Sequence, residues 1–276
     1  MKPPAFAYAA PDTIAECLAL KAEHGEDARF IAGGQSLMPL LNLRMVRPEV
    51  IIDLGRVREL AYWRREGDVI AIGAMLRQRA LEQDKELATA LPLLTQAVQQ
   101  IGHPATRSRG TIAGSLCHAD PAAELPVCAM LLQAQIVLAS TKGRRTIAAE
   151  DFLTDALSTS IKDDELVEQV RIPAGRADTG YAFLELARRH GDFALISVAA
   201  SVQRNGAARV ALGGLGSAPL AFDIAATDDA GFVAAAQKIS KSLEPMNDLH
   251  ASTAYRRSLA GVLMERALVQ AARSVK

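Results

Sequence analysis

The chain has 276 residues, half of them hydrophobic, with 31 basic and 31 acidic side chains and a formal net charge of zero. That length can bury a sizeable core and is enough for two domains, while the balanced charge excludes the basic face of a general nucleic-acid or membrane-surface binder. Three cysteines (Cys17, Cys117, Cys128) make no disulfide framework and lack metal-site spacing, and the opening Met1-Lys2-Pro3-Pro4 has no signal-peptide core, so a reduced, soluble, cytoplasmic chain without membrane insertion is expected.

Residues 13–21 have helical spacing, with Thr13 as N-cap and Glu16 as its capping-box partner, and Gly25 ends the run. Arg29-Phe30-Ile31-Ala32 reads as a short buried strand leading into a glycine turn, Ala32-Gly33-Gly34-Gln35-Ser36. Ser36 is placed to cap a helix over 37–46, and 49–54 is a second strand with β-branched residues at its centre. Strand, turn, helix and strand in that order form a small parallel unit, with the turn at a helix N-terminus where partial positive charge lies.

Residues 68–73 form another strand, and 76–83 and 87–100 are predicted helices. The stretch 101–110 is too polar and too rich in Gly and Pro for a core strand. It leads to a second glycine turn, Thr111-Ile112-Ala113-Gly114-Ser115. Helical spacing returns over 121–133, strands follow at 136–138 and 168–172, and 173–180 is the best linker. Beyond it, 181–186, 195–203 and 207–213 read as strands of a sheet, with helices around 232–242 and 254–274. Charges at Arg64-Arg65-Glu66 and Lys142-Gly143-Arg144-Arg145 are assigned to exposed turns. The predicted architecture is α+β: a nucleotide-binding domain over 1–175, in subdomains of about 1–55 and 56–175, and a smaller C-terminal α+β domain over 176–276 with an antiparallel sheet and helices.

Glycine turns leave consecutive backbone N–H groups unshielded, so an anion can approach them. Two such turns suit a ligand long enough to touch both, which a dinucleotide pyrophosphate is. The nicotinamide fingerprint G-x-G-x-x-G is missing; Asp53 stands near the acidic position of that pattern, but Gly33-Gly34 is not its glycine triple. The two-turn arrangement favours a flavin dinucleotide lying between subdomains.

These residues carry a resemblance. Ala32-Gly33-Gly34-Gln35-Ser36-Leu37-Met38-Pro39-Leu40-Leu41-Asn42 is similar to the first FAD loop of the medium subunits of molybdenum hydroxylases, the family of xanthine dehydrogenase and aerobic carbon monoxide dehydrogenase. Ile101-Gly102-His103-Pro104, Arg107, Arg109-Gly110-Thr111-Ile112 and the run from Gly114 to Pro126 resemble its second loop and flanks. Arg188-Arg189-His190-Gly191-Asp192-Phe193-Ala194 resembles the segment that opens its C-terminal domain. The resemblance spans nearly the whole chain and implies a two-subdomain FAD domain of vanillyl-alcohol-oxidase (PCMH) type followed by a flavoprotein C-terminal domain.

It also implies noncovalent FAD on this chain, and molybdopterin and [2Fe–2S] clusters on a large and a small partner subunit in an (αβγ)2 assembly. The implied contacts are the backbone N–H groups of Gly33, Gly34, Gln35 and Ser36 at the pyrophosphate, with Ser36 Oγ as a further donor and Ala32 and Leu37 also at the cofactor. Thr111, Gly114 and Ser115 line the other side of the diphosphate and the ribityl chain, Ile101, Ile112 and Ala113 are also cofactor-binding, and Asp120 or Glu124 accepts from a sugar hydroxyl or the adenine amine. For Glu124 a carboxylate favoured at a helix N-terminus is the alternative. Leu166 and Val167 approach the isoalloxazine or are plain strand core, and Phe193 stands where some relatives have tyrosine. Most relatives carry Gly-Gly at Ala113-Gly114, so Ala113 requires a negative φ, and some have a lysine near Glu185.

Cys117-His118-Ala119-Asp120 is discounted as a metal site for want of converging ligands. His103 is expected to be a hydrogen-bonding loop residue, and Arg107 and Arg109 either meet phosphate or partner carboxylates or are solvated. No residue is assigned to covalent catalysis. The expected function is an electron-transfer flavoprotein subunit, since three cysteines cannot ligate a four-cysteine cluster and the relay must lie on partners. Alternatives are a self-contained FAD oxidase or dehydrogenase, which lacks a convincing acid or base beyond Tyr181 and His190, and a redox-silent nucleotide-binding module.

Overall fold

The computed structural model describes residues 2–226 and 228–275. It opens with the parallel unit. Strands β1 (Ala7–Ala9) and β2 (Ala28–Ile31) both pair in parallel with β3 (Val50–Asp53), in the order β1-β3-β2. Helix α1 (Ile14–His24) joins β1 to β2 and carries the expected capping box: Thr13 Oγ1 accepts from the Glu16 N–H, and the Glu16 carboxylate accepts from the Thr13 N–H, both at 3.2 Å. Helix α2 (Leu37–Asn42) joins β2 to β3. It is shorter than predicted because Arg44 turns to φ 58, and Ser36 makes no side-chain capping bond.

After β4 (Trp63–Glu66) and β5 (Val69–Gly73) come six short helices: α3 (Gln78–Gln83), α4 (Lys85–Ala90), α5 (Pro92–Val98), α6 (Pro104–Arg109), α7 (Ile112–His118) and α8 (Glu124–Leu131). The hairpin β6 (Gln135–Ser140) and β7 (Gly143–Ala148), the turn α9 (Ala149–Phe152), the small pair β8 (Leu153–Asp155) and β9 (Ser158–Thr159), and β10 (Leu166–Pro173) follow. The larger strands close an antiparallel sheet in the order β4-β5-β10-β6-β7.

Several sequence-based expectations do not hold. The helix predicted over 87–100 is broken at Leu91, held at φ −132 and ψ 63 ahead of Pro92, because the proline ring disfavours the helical region for its predecessor. Residues 101–110, read only as no core strand, are indeed none and contain α6, with Pro104 in the first turn, where its missing N–H costs nothing. The second glycine segment is no turn: Thr111 is the N-cap of α7, and Ile112 to Ser115 are helical. Of the charges assigned to turns, Lys142 does lie in an exposed turn, but Arg64, Arg65, Glu66, Arg144 and Arg145 lie on strands, where Arg144 meets Glu168 and Arg145 meets Glu165, each at 2.6 Å.

The C-terminal sheet is an antiparallel meander of β11 (Thr179–Ala187), β12 (Ala194–Gln203), β13 (Ala208–Gly213) and the unpredicted β14 (Leu220–Ile224). Helices α10 (Asp229–Ser242) and α11 (Thr253–Arg273) follow. The predicted linker narrows to the few residues between Pro173, which ends β10, and Thr179, which starts β11. Strand side chains alternate between faces. Ile196, Val198 and Ala200 therefore pack with Phe232, Ala260 and Met264 of α10 and α11, whereas Phe183, Ala199 and Ala211 join the core built by the preceding part of the chain. The sheet is covered on both faces, which explains the near-continuous buried run of β12. Among the described residues no helix is long and apolar enough to cross a membrane.

Candidate cofactor site

A cleft of about 1330 Å³ runs between the parallel unit, the N-terminal ends of α7 and α8, and the edge of the C-terminal sheet. That exceeds the usual ~300–1,000 Å³ of small-molecule pockets and suits an extended ligand.

One wall is the glycine turn at 32–37. Gly34 takes φ +74, open to glycine at no steric cost, and a Cβ on Gly33 would stand 2.2 Å from the Arg109 carbonyl oxygen. Among the described residues, the backbone N–H groups of Gly33, Gly34, Gln35 and Ser36 donate to no protein acceptor. Four adjacent free donors are an anion cradle. The opposite wall is the start of α7. Thr111 Oγ1 accepts from the Gly114 N–H at 3.0 Å, and a Cβ on Gly114 would lie 2.8 Å from that oxygen and 3.8 Å from the Ala32 Cβ. The two glycine segments thus face each other. Ala113 is a buried helical residue with no positive φ, which meets the condition placed on it.

Ala32, Gly33, Gly34, Gln35, Ser36 and Leu37 line the cleft on one side, and Ile101, Thr111, Ala113, Gly114 and Ser115 on the other. Ile112 does not: its side chain is 2% exposed and belongs to the core, leaving only its backbone in the first turn of α7. Asp120 lines the cleft while accepting from the Ala122 N–H at 2.9 Å. Glu124 is both a cleft residue and the first residue of α8, so the two readings of it are compatible. Burial, then the neighbouring Glu185 and Asp120, push its carboxyl up to about 8. Leu166 and Val167 are likewise strand core and cleft wall at once, and Phe193 stands 71% exposed at the cleft edge.

The donor set fits a flavin dinucleotide. A polar pyrophosphate cradle, facing helix-end donors, the carboxyl groups of Asp120 and Glu124 and an apolar stretch at Leu166 and Val167 line a single cleft. Residues 4–175 match the model of the FAD binding domain in molybdopterin dehydrogenase, and residues 181–271 match that of the CO dehydrogenase flavoprotein C-terminal domain. The chain belongs to the molybdenum-hydroxylase flavoprotein family. It is 39% identical over 283 residues to the 6-hydroxypseudooxynicotine dehydrogenase complex subunit alpha of Paenarthrobacter nicotinovorans, covering 98% of this chain and 96% of that one. Its structure is similar to a chain of carbon monoxide dehydrogenase from Hydrogenophaga pseudoflava, with a TM-score of 0.94, 34% identity and 100% of both chains covered. A chain of quinoline 2-oxidoreductase from Pseudomonas putida 86 gives a TM-score of 0.94 at 35% identity, with 100% of this chain and 99% of that one covered. This chain is therefore an FAD-binding medium subunit of a multi-subunit dehydrogenase.

In this flavoprotein subunit, other side chains reach the cleft without any local sequence signal. Lys21, in the last turn of α1, lines the cleft and donates to the carbonyls of Gly25 at 2.6 Å and Ala28 at 2.8 Å; its burial lowers its pKa. Arg256 of α11, 3% exposed, donates to the carbonyls of Leu195 and Gly214 and to Asp248 at 2.7 Å, pinning the segment that carries Phe193. The Ala251 N–H and then Arg256 hold the Asp248 carboxyl at about 2. Arg107 is neither solvated nor a cleft residue. It is buried, ion-paired to Glu82 at 2.9 Å, and donates to the carbonyls of Ile101 and Gly102. Cys117 is exposed and His118 lies 3.9 Å from Asp120; among the described residues no three metal-ligating side chains converge.

Proposed function

We propose that this subunit carries electrons between iron–sulfur clusters and an external acceptor. FAD, when bound, supplies a two-electron store that exchanges with one-electron carriers. The chain's own task is to hold it: Gly33 to Ser36 bind the pyrophosphate, Thr111 to Ser115 bind the opposite flank, and Asp120 and Glu124 orient sugar hydroxyls. Leu166, Val167 and Phe193 enclose the ring system. The observation that carries this reading is the pair of facing donor segments, 32–36 and 111–115, in a cleft that reaches the surface beside Phe193.

In this reading a molybdopterin-binding large subunit oxidises the substrate, a small subunit with two [2Fe–2S] clusters delivers electrons singly, and the three assemble as (αβγ)2 in the cytoplasm. A division into an FAD domain over 1–175 and a C-terminal domain over 176–276 accords with where the two family models match. The test is the visible spectrum of the purified chain before and after acid precipitation. FAD released by acid, reducible by dithionite and inert to small organic substrates is the expected result. A colourless chain that takes up no added FAD overturns it, and direct reduction by a small substrate makes the protein a self-contained oxidase.

A further inference from the structure

Behind the glycine turn lies a second depression of about 540 Å³, walled by Ile31, Met38, Pro39, Gln35 and Arg109. Gly33 and Gly34 complete it, and both also line the cofactor cleft. The turn is therefore a partition one chain thick, with the cleft on one side and the depression on the other. Just past it, Leu37 lines the cleft and Met38 the depression. The apolar surface continues along α2. Leu43, four residues after Pro39 and so on the same helix face, is 56% exposed, and Met45 is 67% exposed. Backbone bonds fix this display: the Leu43 N–H donates to the Pro39 carbonyl at 2.9 Å, and the Met45 N–H to the Leu40 carbonyl at 2.9 Å. Arg44 between them is held at φ 58, a region that residues with a Cβ seldom enter. A surface preset in this way loses little freedom when it is covered.

The charges around it have one sign. Residues 37–48 contain Arg44 and Arg47, both exposed, and neither an acid nor a lysine. Arg109 joins them from the end of α6. Its carbonyl packs on Gly33 and accepts from Arg77, while its side chain is exposed. Elsewhere arginines meet carboxylates, as Arg107 meets Glu82 and Arg171 meets Glu66; among the described residues, Arg44, Arg47 and Arg109 meet none. Arginine and methionine are enriched where proteins meet, and lysine and glutamate are depleted there. Exposed apolar side chains in a cluster rimmed by polar ones mark such a contact. The surface that fits this face has an apolar centre ringed by carboxylates.

We propose that the iron–sulfur subunit docks on this face, seating an apolar knob in the depression behind the glycine turn and setting carboxylates against Arg44, Arg47 and Arg109. The choice of partner rests on the electron-transfer reading. A subunit that delivers electrons has to come close to the cofactor, and here only the partition separates it from the cleft. A second copy of this chain fits poorly, because a two-fold contact would bring the same arginines against each other. A lipid surface would attract the arginines but would leave the concave depression unfilled.

The test uses the complex assembled by co-expression with its partner subunits. A photo-cross-linking benzoylphenylalanine replaces Met45, and L43E/M45E and R44E/R47E are compared with wild type by native mass spectrometry. None of these four side chains lines the cleft, so both variants are expected to keep FAD and the wild-type melting temperature. The cross-link is expected on the iron–sulfur subunit. L43E/M45E should bind that subunit about tenfold more weakly or worse, since it buries charge in an apolar contact. R44E/R47E should weaken it too, and added salt should weaken the wild-type contact. A cross-link to the molybdopterin subunit, to a second copy of this chain or to no protein overturns the docking, as does wild-type assembly of L43E/M45E. Binding to anionic lipid vesicles that R44E/R47E abolishes, without any protein cross-link, overturns it in favour of a membrane. Should L43E/M45E lose FAD, the cross-link from position 45 decides alone. A complex whose flavin takes no electrons from its reduced clusters removes the electron-transfer reading, while the cross-link still decides which subunit covers the face.

Discussion

The α-carbon of Gly33 is packed so closely on the backbone of Arg109 that a Cβ there would lie 2.2 Å from the Arg109 carbonyl oxygen. The clash is with backbone, so no side-chain rotation relieves it. Gly33→Ala is expected to push the glycine turn away from the end of α6, costing roughly 1–3 kcal/mol of stability by overpacking. It should also weaken FAD binding by about tenfold or more, as 1.4 kcal/mol corresponds to tenfold. Thermal melts and FAD fluorescence titration check both; wild-type affinity would show that the turn does not hold the cofactor.

Gly34 fails differently, through its own backbone. At φ +74 a β-branched residue is strained whatever the space, and a Cβ there would lie 3.2 Å from Ile31 Cδ1 and 3.3 Å from Met38 Cγ. Gly34→Val is expected to abolish FAD retention while circular dichroism stays near wild type. Stoichiometric FAD in the purified variant would refute the phosphate contact.

Thr111 caps α7 through its hydroxyl. Thr111→Ala should cost about 1 kcal/mol and loosen FAD, whereas Thr111→Ser should recover most of both, because only the oxygen is needed. Denaturant midpoints of the two variants separate cap from bulk: equal losses would mean that the methyl group matters instead.

Arg256 and Asp248 tie α11 to the cleft edge. Arg256→Met leaves two carbonyls and a carboxylate without their donor, and a loss on the order of 3 kcal/mol is expected. The acid limb follows from Asp248. Its folded value, about 2, lies below the unfolded value, so its contribution is present above about pH 4 and is lost as pH falls through about 2. D248N should flatten that part of the acid unfolding curve; an unchanged curve would dissociate Asp248 from acid stability.

Glu124 and Glu185 act in the opposite sense. Their folded values, about 8 and about 7, lie above the unfolded value of about 4.3, so the native state holds protons that the unfolded chain has released. Stability should therefore decline as pH rises from about 4.5 to 8, and E185Q should make the decline shallower. Urea midpoints across that range read it directly, and a rise with pH would contradict the assignment.

The features that were legible in the sequence are those built from neighbours along the chain. The α1 capping box needs only Thr13 and Glu16, and the parallel pairing of β2 with β3 follows from a glycine turn and helix between two short strand-forming runs. Pro92 and Pro104 are local signals too, one breaking the run predicted over 87–100 and the other starting α6. Arg107 illustrates the other kind. Nothing beside it in the chain announces Glu82 or the Ile101 carbonyl as partners, and only folding supplies them.

By itself the sequence determined the two glycine segments, the α+β order and a family resemblance, because backbone freedom and hydrogen-bonding period are set within a few residues. The tertiary structure alone decided that α7 is a helix facing the first turn, that Arg256 pins the cleft edge, and that Glu124 is buried with its carboxyl pushed up. Each of those depends on elements far apart in the chain being pressed together, and burial acquires its electrostatic meaning only once water has been excluded from between them.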